Sequence, residues 1–209
     1  MSDTEETEYL SLNSSISFTQ KNSKLNFEPK KDIIPIKTIE IIADLLNNIC
    51  EENKDKSENV NNKISPFMTI NIPSISIKDY LLGLLNFTKI NESTIIIILI
   101  YIDRICKINN FQINYRNIYK LIISSMIIAI KYNEDNYYSS EVYSKLGGIS
   151  VKELNYLEFN FLILIKFSLF IEDDLFSKYY DNLISFDEEN NEDSLEESEN
   201  DSENNNDDN

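Results

Sequence analysis

Hydrophobic residues recur at helical spacing over most of the chain between Pro35 and residue 184. In the first such segment the apolar positions repeat every three or four residues, which predicts a helix with one buried face. These positions are Ile36, Ile39, Ile41, Ile42, Leu45, Leu46 and Ile49. Proline suits the first turn of a helix, so we expect the helix to begin at Pro35. The polar stretch 51–63, which includes Val60, then predicts a linker.

A second helix is predicted from about Ile77 to Phe87. Ser76 precedes it as an N-cap residue, and Asp79 stands three positions later. The apolar positions that we expect to face inward are Ile77, Leu81, Leu84 and Leu85.

The segment 91–108 is rich in isoleucine, a residue that favours β-strands. Its length of roughly 17 residues nevertheless exceeds that of a typical strand, and it contains no turn signal. Glu92 near its start, and Arg104 and Lys107 near its end, have the charges that complement a helix dipole. We therefore predict a helix.

Two helices are predicted in the next part of the chain. The segment 118–132 is apolar nearly all round, which is typical of a central helix that its neighbours cover. Within 133–148 the pattern predicts a loop and a short helix, which we expect Gly147 and Gly148 to end.

Two more helical segments follow. Ser150, with Glu153 at the capping-box position, predicts the start of a helix that extends to residue 167. The stretch 172–184 is amphipathic. From Asp187 onward the chain is acidic and polar and lacks aromatic residues, and residues 185–209 are predicted to be a disordered acidic tail.

These elements predict an all-α fold, a single bundle of five to six helices with an N-terminal helix and disordered acidic ends. The predicted divisions are a mostly disordered N-terminus (1–32), an accessory helix and linker (33–64), the helical domain (65–184) and the tail (185–209). Only 3 of the 209 residues are glycine, which fits helices better than hairpins.

Acidic residues are concentrated at the two ends of the chain. The 36 acidic and 19 basic residues give a net charge of −17. Residues 187–209 hold 12 of the acids and residues 1–8 hold 4, so 20 acids face 19 bases in between. This nearly neutral middle has two arginines, Arg104 and Arg116, and no basic run. We therefore expect neither nucleic-acid binding nor attraction to an anionic membrane.

Several classes of functional site are excluded by composition. The absence of histidine removes histidine-based triads and histidine metal sites. The sequence has no glycine-rich phosphate loop and no convergent pair of carboxylates, so we expect no enzyme activity, cofactor, metal or small-molecule substrate. Cys50 and Cys106 lack metal-ligand spacing, which predicts two reduced thiols in a reducing compartment.

The expected location is intracellular, in the cytoplasm and/or the nucleus. The first ten residues are acidic and lack the apolar region of a signal peptide. No uninterrupted apolar run approaches the roughly 18–20 residues that span a membrane.

Lys131 and Glu158 are two charges that stand alone on otherwise apolar helical segments. Each is the only charge along one face of its predicted helix. Taken singly, Lys131 reads as a residue that interacts with a helix dipole, and Glu158 as part of a solvated stripe. Taken together they suggest a binding surface, because an isolated charge on an apolar surface fixes the register of a partner that must pair with it.

Four stretches in order resemble the cyclin box. They are "PSISIKDYL", "LIYIDRI", "IIAIKYNED" and "ELNYLEFNFLILIKFSLF". The resemblance covers about residues 65–182, which makes the predicted helical domain 65–184 a single cyclin box. It is strongest to the P-type cyclins, the Pho-like cyclins of phosphate signalling.

This resemblance implies a regulatory protein of the cell cycle or of phosphate signalling. A cyclin binds the small lobe of a cyclin-dependent protein kinase and holds the kinase's mobile regulatory helix in its active position. In the family, a lysine that ends the third box helix and a glutamate on the fifth hydrogen-bond to kinase backbone. Lys131 and Glu158 match these positions, so we expect recognition of a helix in a groove with charged ends. The residues that match the apolar groove are Tyr132, Leu162, Phe167 and Leu169.

Asp103 and Arg104, in "YIDRI", are predicted to have a structural role as an ion pair. In the family the aspartate pairs with an arginine on the first box helix. Here Gly83 stands near the expected place of that arginine. Solvent or another basic group must then satisfy Asp103.

Two other functions remain open from the sequence. One is a helical adaptor or scaffold protein without a kinase partner, and the other is a relative of the transcription-factor type that contacts DNA. The chain has no tryptophan and no "MRAIL"-like run, so the substrate-docking patch of many cell-cycle cyclins is not expected.

Overall fold

The computed structural model describes residues 36–54, 66–110 and 112–203, with side chains described up to residue 188. This part of the chain forms seven α-helices and no strand. The helices are α1 (Ile36–Glu52), α2 (Ile77–Thr88), α3 (Glu92–Asn109), α4 (Ile118–Asn133), α5 (Ser140–Leu146), α6 (Val151–Leu164) and α7 (Asp173–Glu203). The predicted all-α fold is confirmed. The N-terminus 1–32 and Val60 of the predicted linker lie outside the described residues.

The pair α3 and α4 forms the centre of the bundle. Ten consecutive residues of α4, Leu121 to Ile130, are buried. They are covered because α2, α3 and α6 all pack against α4. The two serines in this run, Ser124 and Ser125, donate to the carbonyl oxygens of Lys120 and Ile122, so their hydroxyls remain hydrogen-bonded.

The isoleucine-rich segment is the helix α3, as its length predicted. Six of its eight isoleucines are buried, because α1, α4, α6 and α7 pack around this helix. Tertiary packing thus overrides the preference of β-branched residues for strands. No described helix combines the length and the apolar character that crossing a bilayer requires.

The predicted N-caps are confirmed. The Ser76 hydroxyl accepts the backbone N–H of Asp79 at 3.0 Å, and the Ser150 hydroxyl accepts that of Glu153 at 3.1 Å. The four residues predicted to face inward from α2 are all buried. At the end of α5, Gly148 alone takes the left-handed conformation, with φ of 66°, whereas Gly147 keeps a right-handed one.

The last helix is longer than the amphipathic pattern predicted. It was expected over 172–184, but α7 runs to Glu203 and enters the predicted tail. Tyr179 and Leu183 bury its apolar side against the core. Asp187 pairs with Lys37 of α1 at 2.5 Å, which ties the helix beyond its apolar part. Residues 204–209 lie outside the described residues.

Asp103 is satisfied by partners other than the predicted one. It is 2% exposed, its Oδ2 lies 2.7 Å from the ammonium of Lys107, and the hydroxyl of Tyr179 from α7 donates to it. The predicted ion pair of Asp103 with Arg104 is replaced by these contacts, because neighbouring helix residues point about 100° apart. Lys107, one turn away, is the basic group that takes the place of an arginine near Gly83.

The phenol of Tyr179 remains a donor at any physiological pH. Burial, and then the nearby charge of Asp103, raise the pKa of Tyr179 far above its usual value. A neutral phenol therefore always faces the carboxylate, and the contact holds α7 on α3.

Gly83→Ala is expected to stabilise the protein. Gly83 is exposed in the interior of α2, and a Cβ there meets no atom within 4 Å. Alanine should therefore raise the free energy of unfolding by about 0.5–1 kcal/mol, measured by urea denaturation. The matched variant Gly148→Ala should lower it by roughly 1–2 kcal/mol, because its φ is positive. A loss of stability in Gly83→Ala would contradict the position of Gly83 on an open helix face.

Tyr179→Phe is expected to lower the free energy of unfolding by about 1–3 kcal/mol, because it leaves a buried carboxylate with one donor fewer. Urea denaturation at pH 7 measures the effect. The control Tyr137→Phe removes the same atom from a ring that is largely exposed and should change stability by less than about 0.5 kcal/mol. Equal midpoints for the two variants would show that Asp103 does not depend on α7.

The two cysteines should resist modification in the folded protein. Cys50 and Cys106 are free and buried, and burial raises the pKa of Cys50 to about 12 and that of Cys106 as well. The thiolate is the reactive form, so a disulfide reagent at pH 8 should label both thiols in urea and neither in the native state. In the folded protein the pKa values of both thiols lie above the ordinary thiol value of 9.0, so stability should fall as the pH rises above 9. Rapid labelling without urea would contradict their burial.

Candidate functional site

Lys131 and Glu158 meet at the surface between α4 and α6. The Lys131 ammonium lies 2.6 Å from Oε1 of Glu158, and the two side chains are 33% and 18% exposed. The two residues that the sequence singled out are therefore brought together. They form one ion pair rather than two separate charged ends, because α4 and α6 pack directly against each other.

The position of Lys131 is fixed by the end of α4. The backbone N–H of Glu134 donates to the carbonyl of Ile130 at 2.9 Å and caps the helix. The Glu134 carboxylate accepts hydrogen bonds from Thr94 at 2.6 Å and from the Asn91 side chain at 3.1 Å. This negative charge stands at the start of α3, where the helix dipole favours it. Sequence reasoning did not single out Glu134, although it lies in the quoted "KYNED".

The position of Glu158 is fixed by the burial of α6. Its inner face consists of Leu154, Leu157 and Phe161. The ring of Phe161 packs edge-to-face on Phe67, with centroids 6.0 Å apart. A second ion pair links α6 to α4.

That second pair is Lys120 with Glu153, at 2.9 Å. Lys120 also donates to the carbonyl of Met68 at 3.3 Å. Lys120 and Lys131 are eleven residues apart, which is about 16 Å along a helix. The two ion pairs thus fix α6 against α4 at separate points.

The predicted groove residues differ in exposure. Tyr132 is 52% and Phe167 is 64% exposed, whereas Leu162 and Leu169 are half-buried against the core. The backbone N–H of Phe167 donates to the carbonyl of Leu162 at 2.9 Å, which keeps these two residues together. The leucines thus form the base of an apolar surface, and the aromatic rings remain available to a partner.

Tyr101 of α3 connects two parts of this surface. Its hydroxyl donates to the carbonyl of Leu169 at 2.8 Å and also interacts electrostatically with Tyr132. Burial, as the main cause, raises the pKa of Tyr101 to about 12, so the phenol remains a neutral donor. Leu169 and Tyr132 therefore lie near the same buried hydroxyl.

The chain turns sharply where α6 ends. Lys166 and Phe167 have φ values of 55° and 54°, in the left-handed region that residues with a Cβ rarely adopt. Such a conformation costs roughly 1–2 kcal/mol for each residue. The turn leaves Phe167 directed outward, with most of its surface exposed.

Arg104 lies beside this turn. Its guanidinium donates to the carbonyl of Ser168 at 2.5 Å and to that of Phe170 at 3.1 Å. The side chain of Asn109, also on α3, donates to the carbonyl of Leu164 at 3.1 Å. Sequence reasoning missed these contacts, because bonds from side chains to distant backbone leave no periodic pattern.

The outer face of α6 continues the exposed apolar surface. Tyr156, Phe159 and Ile163 lie along one side of the helix and are each about half exposed or more. Leu162, one turn after Glu158 on α6, is half-buried and lies on the same side of the helix as the ion pair. Contiguous exposed apolar surface of this kind marks an interaction site.

Comparison with known proteins places the chain among cyclins. The family profile described as Cyclin matches residues 32–169, which run from before α1 to Leu169. Cyclin-U4-3 of Arabidopsis thaliana is 36% identical over 153 residues, which is 73% of this chain and 68% of that protein. The PHO85 cyclin-like protein psl1 of Schizosaccharomyces pombe is 31% identical over 196 residues, which is 84% of this chain and 81% of psl1. PHO85 cyclin-7 of Saccharomyces cerevisiae is 31% identical over 169 residues, which is 70% of this chain and 59% of that protein.

These matches confirm the predicted resemblance to Pho-like cyclins. The profile covers more than half of the chain and contains Lys131, Glu158 and all four predicted groove residues. The chain belongs to the cyclin family.

Proposed function

We propose that this chain activates a cyclin-dependent protein kinase by holding the kinase's regulatory helix in its active position. Membership of the cyclin family supports the general role of a kinase regulatory subunit. The observation that carries the finer proposal is the partly exposed ion pair of Lys131 with Glu158. It occurs together with exposed aromatic side chains at Tyr132, which directly follows Lys131, and at Phe167.

The ion pair suits recognition of a partner's backbone. An ammonium has three donors and a carboxylate accepts at several positions, so each group keeps capacity after pairing with the other. Lys131 can donate to a kinase carbonyl and Glu158 can accept from a kinase N–H. Because each already has a partner, neither is left as an isolated charge when the surface is covered.

The apolar surface supplies most of the expected affinity. Burial of a large apolar side chain such as Phe167 contributes about 1.5–3 kcal/mol, whereas an exposed ion pair contributes about 0–1 kcal/mol. The groove therefore provides binding energy, and Lys131 with Glu158 fixes the register of the bound helix.

Activation in this proposal is a population shift. Moving a kinase from 1% to 99% in the active arrangement requires a difference of about 5.5 kcal/mol in binding to the two arrangements. Two or three large apolar side chains that contact only the active arrangement supply such a difference. Tyr132, Phe167 and the leucines at the base of the groove are side chains of the required kind.

The names of two relatives indicate the class of partner. Psl1 is described as a PHO85 cyclin-like protein, and the Saccharomyces cerevisiae relative is described as PHO85 cyclin-7. We infer that the partner of this chain is a cyclin-dependent kinase of the PHO85 type. Purified PHO85 from Saccharomyces cerevisiae is therefore the probe for the experiments below.

The double variant Lys131→Ala/Glu158→Ala is expected to abolish activation of PHO85 without loss of helical circular dichroism. The charge swap Lys131→Glu/Glu158→Lys should also fail to activate, although it keeps an ion pair between α4 and α6. It presents a carboxylate where the kinase carbonyl requires a donor. Phosphorylation of a model substrate and the affinity for PHO85 measure both effects.

The matched control is the swap Lys120→Glu/Glu153→Lys, in the other ion pair between the same helices. It should retain activation once corrected for its folded fraction. Full activation by the swap at Lys131 and Glu158 would show that this pair only joins two helices. Failure of the unsubstituted protein to bind PHO85 would instead favour the helical adaptor as the function.

A further inference from the structure

Three consecutive carbonyl groups after α6 are held by side chains of α3. Arg104 donates to the carbonyls of Ser168 and Phe170, and Tyr101 donates to that of Leu169 between them. The distances are 2.5, 3.1 and 2.8 Å. This segment is irregular, so its carbonyls have no helical ladder to satisfy them.

The segment needs such support because its conformation is strained. The left-handed conformations of Lys166 and Phe167 persist only when surrounding contacts determine them. Phe167 is too exposed to hold itself by packing. On its N-terminal side the backbone N–H of Phe167 is bound to the carbonyl of Leu162. On its C-terminal side the carbonyls that Arg104 and Tyr101 bind are the contacts with the rest of the bundle.

Arg104 is suited to this role by its chemistry. The guanidinium is planar, always charged and has several donors, so a single side chain spans the two carbonyls that flank Leu169. Tyr101 is fully buried and therefore acts on the segment from inside the protein. Neither Arg104 nor Tyr101 is one of the four predicted groove residues.

We propose that Arg104 and Tyr101 are positioning residues that hold Phe167 and Leu169 in the arrangement a kinase binds. This inference rests on the proposed function. Without these donors the segment samples other conformations, and the apparent affinity for the kinase falls by the fraction of molecules that remain competent. Arg104 and Tyr101 thus affect kinase binding by positioning Phe167 and Leu169, and they do not contact the kinase themselves.

Arg104→Ala is expected to weaken binding to purified PHO85 on the order of tenfold, which corresponds to about 1.4 kcal/mol. Arg104→Lys should recover part of the loss, because an ammonium retains the charge without the fork of donors. Arg116→Ala is the matched control. Its guanidinium also donates to a loop carbonyl, that of Ile70 at 2.9 Å, but in a different segment. Equal affinity of the Arg104→Ala and Arg116→Ala variants would overturn the proposal.

Tyr101→Phe provides a second variant in case Arg104→Ala unfolds. It removes one hydroxyl from a buried ring and should weaken PHO85 binding several-fold. A residue with no exposed surface has no direct contact with the kinase, so this loss must act through the residues that the hydroxyl contacts, Leu169 among them. Unchanged affinity in the folded Tyr101→Phe variant would overturn the role of Tyr101.

A double-mutant cycle separates positioning from direct contact. If Arg104 acts through Phe167, then Arg104→Ala should have little further effect on affinity in a Phe167→Ala background. Additive effects would show that Arg104 contacts the kinase independently. Hydrogen exchange of the free chain should be faster for amides 166–171 in Arg104→Ala and unchanged there in Arg116→Ala.

The same experiments distinguish this inference from the proposed function. Normal PHO85 binding by both Phe167→Ala and the charge swap at Lys131 and Glu158 would refute the proposed function. Loss of binding in those variants, together with normal binding by Arg104→Ala and Tyr101→Phe, would refute the positioning role alone.

Discussion

The packing of α3 against α4 determines where this protein places polar groups. Both helices are covered by neighbours along most of their length. A charged side chain on either helix is therefore stable only if it is paired within the bundle or lies at an exposed helix end. Asp103 finds Lys107 and Tyr179 inside. Lys131 emerges at the end of α4 and meets Glu158.

The same packing links the fold to the proposed binding surface. The end of α4 positions Lys131, whereas donors on α3 determine the path of the chain after α6. Phe167 and Leu169 belong to no helix, and the chain that holds them is hydrogen-bonded to α3. A groove built in this way depends on rigid elements beneath it, and its irregular segment does not have to order itself when a partner arrives.

The sequence predicted features that are local or periodic. The caps at Ser76 and Ser150 and the helical state of the isoleucine-rich segment follow from spacing and capping chemistry, and the structure confirms them. Two helix ends were predicted wrongly, because α6 stops at Leu164 rather than residue 167 and α7 continues to Glu203 rather than residue 184. The resemblance to the cyclin box identified Lys131 and Glu158 from their positions in it. Lys107 is one helical turn from Asp103, whereas the distant partners of Asp103 and Arg104 were not predictable in the same way, because Tyr179, Ser168 and Phe170 are more than sixty residues away. Pairing of side chains at that separation depends on tertiary geometry and leaves no trace in periodicity.

The contact of Tyr179 with Asp103 bears on where this domain can be cut for recombinant production. The family match ends at residue 169, before α7 begins. A fragment that stops there would keep Asp103 in the interior without its phenol donor and would uncover the apolar surface that Leu183 shields. The smallest autonomous unit therefore includes the first half of α7, through the contact of Asp187 with Lys37.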